Sequence, residues 1–120
     1  MGLAAVGFQV GTGIWTAGSI LANPGDQTVL VDTGQLNAAS YLFAVSGSCD
    51  AAWVYDIQYV DVNGSTVLSA QRRRGAANGT DDFLFPNKIT LTANQRVRCV
   101  LQGAITCTAL QMSVFSQEVG

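Results

Sequence analysis

The sequence predicts an all-β chain: an antiparallel β-sandwich or jelly roll of about eight strands, preceded by an extended N-terminal arm. Three observations predict it. Aromatic and β-branched residues alternate with smaller or polar ones at period two, most clearly over residues 40–46 and 52–62. Turn signals recur about every eight to twelve residues, the spacing of sandwich folds. No segment carries an apolar stripe at helical spacing.

The first 25 residues contain no Asp, Glu, Lys or Arg. Glycines at 2, 7, 11, 13 and 18 interrupt them too often for a stable helix, at about 1 kcal/mol per Gly relative to Ala. A secretory signal lacks its basic start here, and Gln9, Thr12, Thr16 and Ser19 break any run long enough to span a membrane. A myristoylation motif wants Ser or Thr where Val6 stands. Residues 1–25 are therefore read as an uncharged arm that lies on protein: its own domain, a neighbouring copy or another partner. Its docking residues are Leu3, Val6, Phe8, Ile14, Trp15, Ile20 and Leu21, each worth about 1.5–3 kcal/mol on burial before ordering costs. In the alternative, residues 7–10 and 13–16 are strands of the same domain.

The sandwich occupies residues 26–120, opened by the turn Asn23-Pro24-Gly25-Asp26. Residues 28–32 form a short strand. Residues 40–46 set Tyr41, Phe43 and Val45 against Leu42 and Ala44, and residues 52–62 set Trp53, Tyr55, Ile57 and Tyr59 against Val54, Asp56, Gln58 and Val60. Asn63-Gly64 supplies a hairpin turn and residues 66–70 return. Residues 71–82 read as a polar loop suited to a Greek-key crossover. Strands at 82–85, 88–92, 96–101 and 105–115 complete the domain, the last two separated by Gln102-Gly103-Ala104.

Composition narrows the chemistry. Charged residues make up 12% of the chain, about half the usual share, which suggests that protein covers part of the surface, with the abundant Ser, Thr, Asn and Gln as the competing explanation because uncharged polar groups also satisfy water. The net charge of −2 argues against nucleic-acid binding. Histidine is absent and Glu118 is the sole glutamate, which removes the commonest general base and neutral metal ligand. Three cysteines without CxxC spacing suit neither a disulfide framework nor zinc. No catalytic residue, cofactor or metal is expected. With Gly103 at the centre of a hairpin, Cys99 and Cys107 would face each other across a ladder as two buried thiols, with Cys49 exposed beside its Gly-Ser loop.

Each remaining candidate has a plain structural counterpart. Arg72, Arg73 and Arg74 could clamp carboxylates of a partner, sit solvated at a loop tip, or pair with Asp81 and Asp82. Trp53, Tyr55 and Tyr59 could stack on a sugar ring, but their alternation favours the core. Asp50, Asp56 and Asp61 lack calcium-loop spacing. Asn63-Gly64-Ser65 and Asn78-Gly79-Thr80 match glycosylation sequons and read as turns. Asp81 and Asp82, adjacent on a strand, should point to opposite faces.

Val31-Asp32-Thr33-Gly34-Gln35-Leu36, Ser40-Tyr41-Leu42-Phe43-Ala44-Val45 and Ser48-Cys49-Asp50-Ala51-Ala52 resemble the opening of a group of small tailed-phage virion proteins. Leu91-Thr92-Ala93-Asn94-Gln95-Arg96-Val97-Arg98-Cys99 and Gly103-Ala104-Ile105-Thr106 resemble its end. The resemblance covers residues 31–110 in patches. It implies a jelly-roll decoration, or cement, protein made in the bacterial host's cytoplasm. Such a protein sits on the surface of an icosahedral capsid, bound to the major capsid protein and to itself as a trimer. This chain departs from the pattern at Cys99 and Cys107, where valine and glycine are expected, and at Arg72–Arg74. Neither a membrane nor a nucleic acid is an expected partner. A tail, neck or fibre module is the alternative virion role, and a carbohydrate-binding module using Trp53 and Tyr55 the alternative outside it.

Overall fold

The computed structural model describes residues 13–61, 63 and 66–119, and among them lie nine strands and no helix. In chain order the strands are β1 (Ile14–Ala17), β2 (Val29–Asp32), β3 (Ala39–Cys49), β4 (Trp53–Val60), β5 (Val67–Gly75), β6 (Gly79–Leu84), β7 (Ile89–Leu91), β8 (Arg96–Leu101) and β9 (Leu110–Val119). They form two antiparallel sheets facing each other, the jelly-roll sandwich that the alternation predicts. Sheet 1 runs β1-β9-β3-β6, with β7 pairing the start of β3; sheet 2 runs β2-β8-β4-β5.

Period-two alternation decides what lies between the sheets. Tyr41, Phe43 and Val45 of β3, Trp53, Tyr55 and Ile57 of β4, Val97, Cys99 and Leu101 of β8, and Met112 and Val114 of β9 are all buried. The aromatic rings interlock: Tyr41 stacks on Phe43 at 5.7 Å, and Phe43 meets Phe85 edge-on at 6.1 Å. Each such side chain contributes about 1.5–3 kcal/mol through burial. Cys49, expected at the surface, is buried at the inward-facing end of β3.

Part of the leader belongs to the sandwich. Ile14–Ala17 pairs with Ser113–Ser116 of β9, and the zipper continues beyond the strand. Gly18 N–H donates to Met112 O, Leu21 exchanges two bonds with Leu110, and Asn23 N–H reaches Cys107 O. The in-domain strand expected at 13–16 is therefore the edge of sheet 1, and Leu21 packs against the core rather than standing free. Leu3, Val6 and Phe8 lie outside the described residues, as do positions 7–10.

Three further expectations are corrected. Residues 71–82 are not a loop: β5 runs to Gly75, β6 starts at Gly79, and residues 76–78 alone carry the chain from sheet 2 to sheet 1. Nor do β8 and β9 form a hairpin, since they lie in different sheets, so Cys99 and Cys107 are not opposed. The last strand starts at 110 rather than 105 because the preceding amides are claimed by side chains. Asn23 Oδ1 accepts from Cys107 N–H, Asp50 accepts from the Thr108 and Ala109 amides, and Asp26 accepts from Gly103 N–H. With their donors satisfied this way, these residues need no ladder.

The open end between the sheets is tied by a polar network. Arg73 of β5 donates through Nε and Nη2 to both oxygens of Asp81 on β6, each at 2.9 Å. Tyr55 Oη donates to the same carboxylate at 2.6 Å, and the guanidinium lies 4.5 Å over the Phe83 ring. Arg73 holds the Asp81 carboxyl below the usual carboxylate range, helped by Tyr55 and opposed by burial. Burial first, and then Asp81, push the Tyr55 phenol upward.

Two predictions follow from this packing. A Cβ at Gly75 would overlap the Trp53 ring, whereas one at Gly25 meets nothing. Gly75→Ala should cost about 1–3 kcal/mol in urea unfolding and Gly25→Ala close to nothing. Asp81→Asn, which strands a half-buried guanidinium, should cost about 2–3 kcal/mol at pH 7. A carboxyl depressed by folding contributes fully above its unfolded value, near 3.8, and loses that contribution as pH falls through the lower folded value. The stability gap between wild type and Asp81→Asn should therefore narrow below about pH 4, as measured by thermal unfolding across a pH series.

Candidate functional site

The outward face of sheet 1 carries a row of apolar side chains with little charge around it. Its register places Trp15 opposite Phe115, Phe115 opposite Ala44, and Ala44 opposite Leu84. Directly opposed residues share a face, so these four form one apolar row across β1, β9, β3 and β6. At a strand spacing of about 4.8 Å the row is about 14 Å wide. Trp15 and Leu84 are 56% and 67% exposed, and the Trp15 and Phe115 rings meet at 5.3 Å. Trp15, Ala44, Ser46, Asp82 and Leu84 line a shallow concavity of about 470 Å³.

The rows beside it are small and uncharged. Ala17, Ser113 and Ser46 lead to Asp82, and beyond them come Gln111, Ser48 and Thr80. Asp82 is the only charged residue at the outward positions of the described strands of sheet 1, and it accepts a hydrogen bond from Ser46 Oγ. Ile20, in the leader beyond β1, is also exposed, at 68%. Ile14 is also exposed but belongs to the other side of β1, where it shares a shallow cleft with Leu36, Tyr41 and Ser116.

Charge is collected on the opposite sheet. Arg72 and Arg74 of β5, Asp56 of β4, Arg96 and Arg98 of β8 and Asp32 of β2 all take outward positions of sheet 2. Arg72 chelates Asp56 with bonds of 2.8 and 3.2 Å, Arg98 Nε donates to Gln58 at 2.8 Å, and Arg96 lies 3.4 Å from Asp32. The three arginines read as one run therefore separate: Arg72 and Arg74 face outward, while Arg73 turns inward onto Asp81. Strand geometry rather than a loop decides this, since neighbours on a strand point to opposite faces. Asp81 and Asp82 separate in the same way, as expected.

The carboxylates are used structurally. Asp26, Asp32 and Asp50 accept backbone amides at turns, Asp61 accepts those of Asn63 and Thr66, and Asp56, Asp81 and Asp82 are bonded as described. The Thr108 hydroxyl, followed by the Thr108 and Ala109 amides, holds Asp50 at about 2. Asp50 precedes β4 and Asp61 follows it, so with Asp56 they do not converge. Trp53 and Tyr55 are 1% and 0% exposed, which removes both from any sugar platform. An interior cleft of about 360 Å³, lined by Ile57, Tyr59, Gln71, Phe85, Ile89 and Val97, opens between the sheets without a titratable group beyond the Tyr59 phenol. That phenol donates to Gln95 Oε1.

The sulfur chemistry is at the other end. Sγ of Cys49, Sγ of Cys107 and a carboxylate oxygen of Asp50 lie within 4.8 Å of one another. Both thiols are buried, and the proximity was hidden in the sequence because Cys49 is 58 positions from Cys107. Burial first, with the Cys107 thiol and Asp50 adding to it, raises the Cys49 thiol against the lowering effect of the Ala51 amide. Cys99, alone in β8, is pushed up to about 12 by burial.

No family model matches the chain, and no curated protein matches it. A solved structure described as "CBM4 structure and function" is similar over 96% of this chain and 79% of its own, with a TM-score of 0.51 and 12% identity. At that identity the likeness concerns the fold, an antiparallel jelly-roll sandwich.

Proposed function

We propose that the chain is a virion structural protein without enzymatic activity: a decoration, or cement, protein that docks on the major capsid protein and on copies of itself, as a trimer, at the surface of an icosahedral head. One observation carries the reading. A sheet face four strands wide presents Trp15, Phe115, Ala44 and Leu84 in a row, with Asp82 as the only charge at the outward positions of its described strands. Contiguous apolar surface of this kind marks an interaction site.

Supporting features agree with it. Ile14, Trp15 and Ile20, three residues of the uncharged leader, are exposed at 60%, 56% and 68%. Covering Trp15 and Leu84 would contribute about 1.5–3 kcal/mol each, and repetition over a trimer multiplies a modest contact by avidity. The resemblance of residues 31–110 to small tailed-phage virion proteins points the same way. Arg73, turned inward onto Asp81, is withdrawn as a partner clamp, while Arg72, 56% exposed beside Asp56, and Arg74 keep that role.

A carbohydrate-binding reading, suggested by the CBM4 neighbour's fold, has lost Trp53 and Tyr55 to the core and would have to use Trp15. A tail, neck or fibre module has the same surface chemistry and differs in where it sits and in how many copies.

The test uses particles that contain the chain. Reconstruction should find it repeated over the head lattice, with the outward face of sheet 1 against capsid protein. Leu84→Lys and Trp15→Lys should each weaken binding to stripped heads about tenfold or more while shifting Tm by no more than about 3 °C. Removal of residues 1–12 should leave the sandwich folded. Density confined to a tail or neck, unchanged binding by both lysine variants, or glycan-array binding lost in Trp15→Ala would each overturn the proposal.

A further inference from the structure

Cys49 and Cys107 meet where three segments converge. Cys49 ends β3, Cys107 lies on the irregular stretch before β9, and the leader passes beside Cys107. Cys107 Sγ lies 3.8 Å from Leu21 O, and Cys107 N–H is bonded to Asn23 Oδ1. Neither thiol proton has a strong acceptor, since the Cys49 Sγ contact with Asp50 Oδ1 is also 3.8 Å, and the Ala51 amide donates to Cys49 Sγ at 3.4 Å, a bond that does not need the thiol proton. Little hydrogen bonding would be lost if both protons left.

We propose that this pair is an oxidation site, at which Cys49 and Cys107 form an intramolecular disulfide when the folded chain meets a low-molecular-weight disulfide. Three features select these two sulfurs. Their separation, within 4.8 Å, needs only a short closure to the covalent distance of about 2 Å. Cys107 is carried by a segment whose amides are held by side chains rather than by a ladder, so the backbone there can adjust. Cys49, although only 4% exposed, belongs to the wall of an open hollow of about 350 Å³ with Ser48, Asp50, Asn78, Thr80 and Ala109, the side from which an oxidant can approach. Cys99, in the middle of β8 in the other sheet, has none of these features.

The chemistry balances without a metal or cofactor. The Cys49 thiolate attacks one sulfur of the disulfide RSSR and expels RS⁻, leaving a mixed disulfide. The Cys107 thiolate then attacks the Cys49 sulfur and expels the second RS⁻. The two protein thiols give up two protons and two electrons, and RSSR becomes two RSH. A zinc ion suits the site less well. Both oxygens of Asp50 already accept from Thr108 and Ala109, so two thiols remain where zinc takes four ligands.

The bond would close a loop from 49 to 107 and fasten the leader's anchor at Leu21 and Asn23 to the end of β3. Constraint of so long a loop in the unfolded chain favours the folded state.

The test takes the reduced, full-length protein in mildly alkaline buffer, where thiolate is more abundant, and adds oxidised glutathione. Alkylation and intact mass should show the three free thiols falling to one, with loss of two hydrogens and no glutathione adduct. Peptide mapping should join Cys49 to Cys107, and Tm should rise by about 5 °C or more, reversed by dithiothreitol. Cys99→Ala should behave as wild type, while Cys49→Ala and Cys107→Ala should form no internal bond and gain no Tm. Three surviving thiols, stable mixed adducts, a bridge that includes Cys99, or protection of both thiols by one equivalent of zinc sulfate would overturn the proposal. The wild-type peptide map decides the matter even if a variant fails to fold.

Discussion

The antiparallel ladder between β3 and β9 organises the rest of the molecule. It pairs residues from Cys49 with Leu110 to Ser40 with Val119, joining the two longest strands across the middle of sheet 1. β1 is built on the far side of β9, and β6 and β7 on the far side of β3. A slip of one residue would exchange Met112 and Val114 with Ser113 and Phe115 between core and solvent. The same register thus defines the hydrophobic core, the apolar outward row and the meeting of Cys49 with Cys107. Its partners lie about seventy positions apart, so loop closure precedes the reward of pairing and folding should be governed by this non-local step.

The two outward faces solve different problems. Sheet 2 has β5 as an edge, exposed along most of its length, and edges of that kind invite unwanted pairing. Arg72 and Arg74 on that strand, with Asp56 beside them, keep it hydrated and discourage stacking. Sheet 1 has only the four-residue β1 at its leader edge, without a charge, and leaves its broad face nearly free of charge. A monomer destined to stay alone would gain solubility by distributing its few charges over both faces. Their concentration on one sheet is the expected pattern for a subunit that covers the other.

Strands with one buried face were legible in the sequence because burial writes a period of two. β3 and β4 were readable on that basis, down to which residues face inward, and β8 was readable as a strand. β5 was readable only as the return at 66–70 and not in its continuation to Gly75, because as an edge with both faces exposed over Val67–Arg72 it has no reason to alternate, and its arginines and terminal glycine look like loop chemistry. The end of the chain misled for another reason. Gly103 does adopt a positive φ of 92°, as a turn should, but a turn does not state whether the next strand returns to the same sheet or crosses to the other. That choice depends on Asp26, Asn23 and Asp50, distant in sequence, which capture the amides of Gly103 and residues 107–109. The thiol pairing failed with it. The apolar row failed for a related reason: Trp15, Ala44, Leu84 and Phe115 come from four strands, and only the register brings them together.

Because the ionised side chains of sheet 2 are largely satisfied among themselves, the outward face of sheet 1, in the role proposed for it, would recognise a partner by shape and apolar contact. Charge complementarity chiefly accelerates encounter and selects orientation, and it weakens with salt. A face with one carboxylate forgoes both the acceleration and the salt sensitivity. Its association should be slow for a single copy and durable once several copies are held together, since each contact is modest and dissociation requires all to release. That combination suits a subunit added to a surface already assembled, where local concentration replaces long-range steering. It also gives the inward turn of Arg73 a purpose beyond stability: by binding Asp81 between the sheets, it keeps a guanidinium and a carboxylate off the two outer surfaces, and so helps preserve the contrast between them.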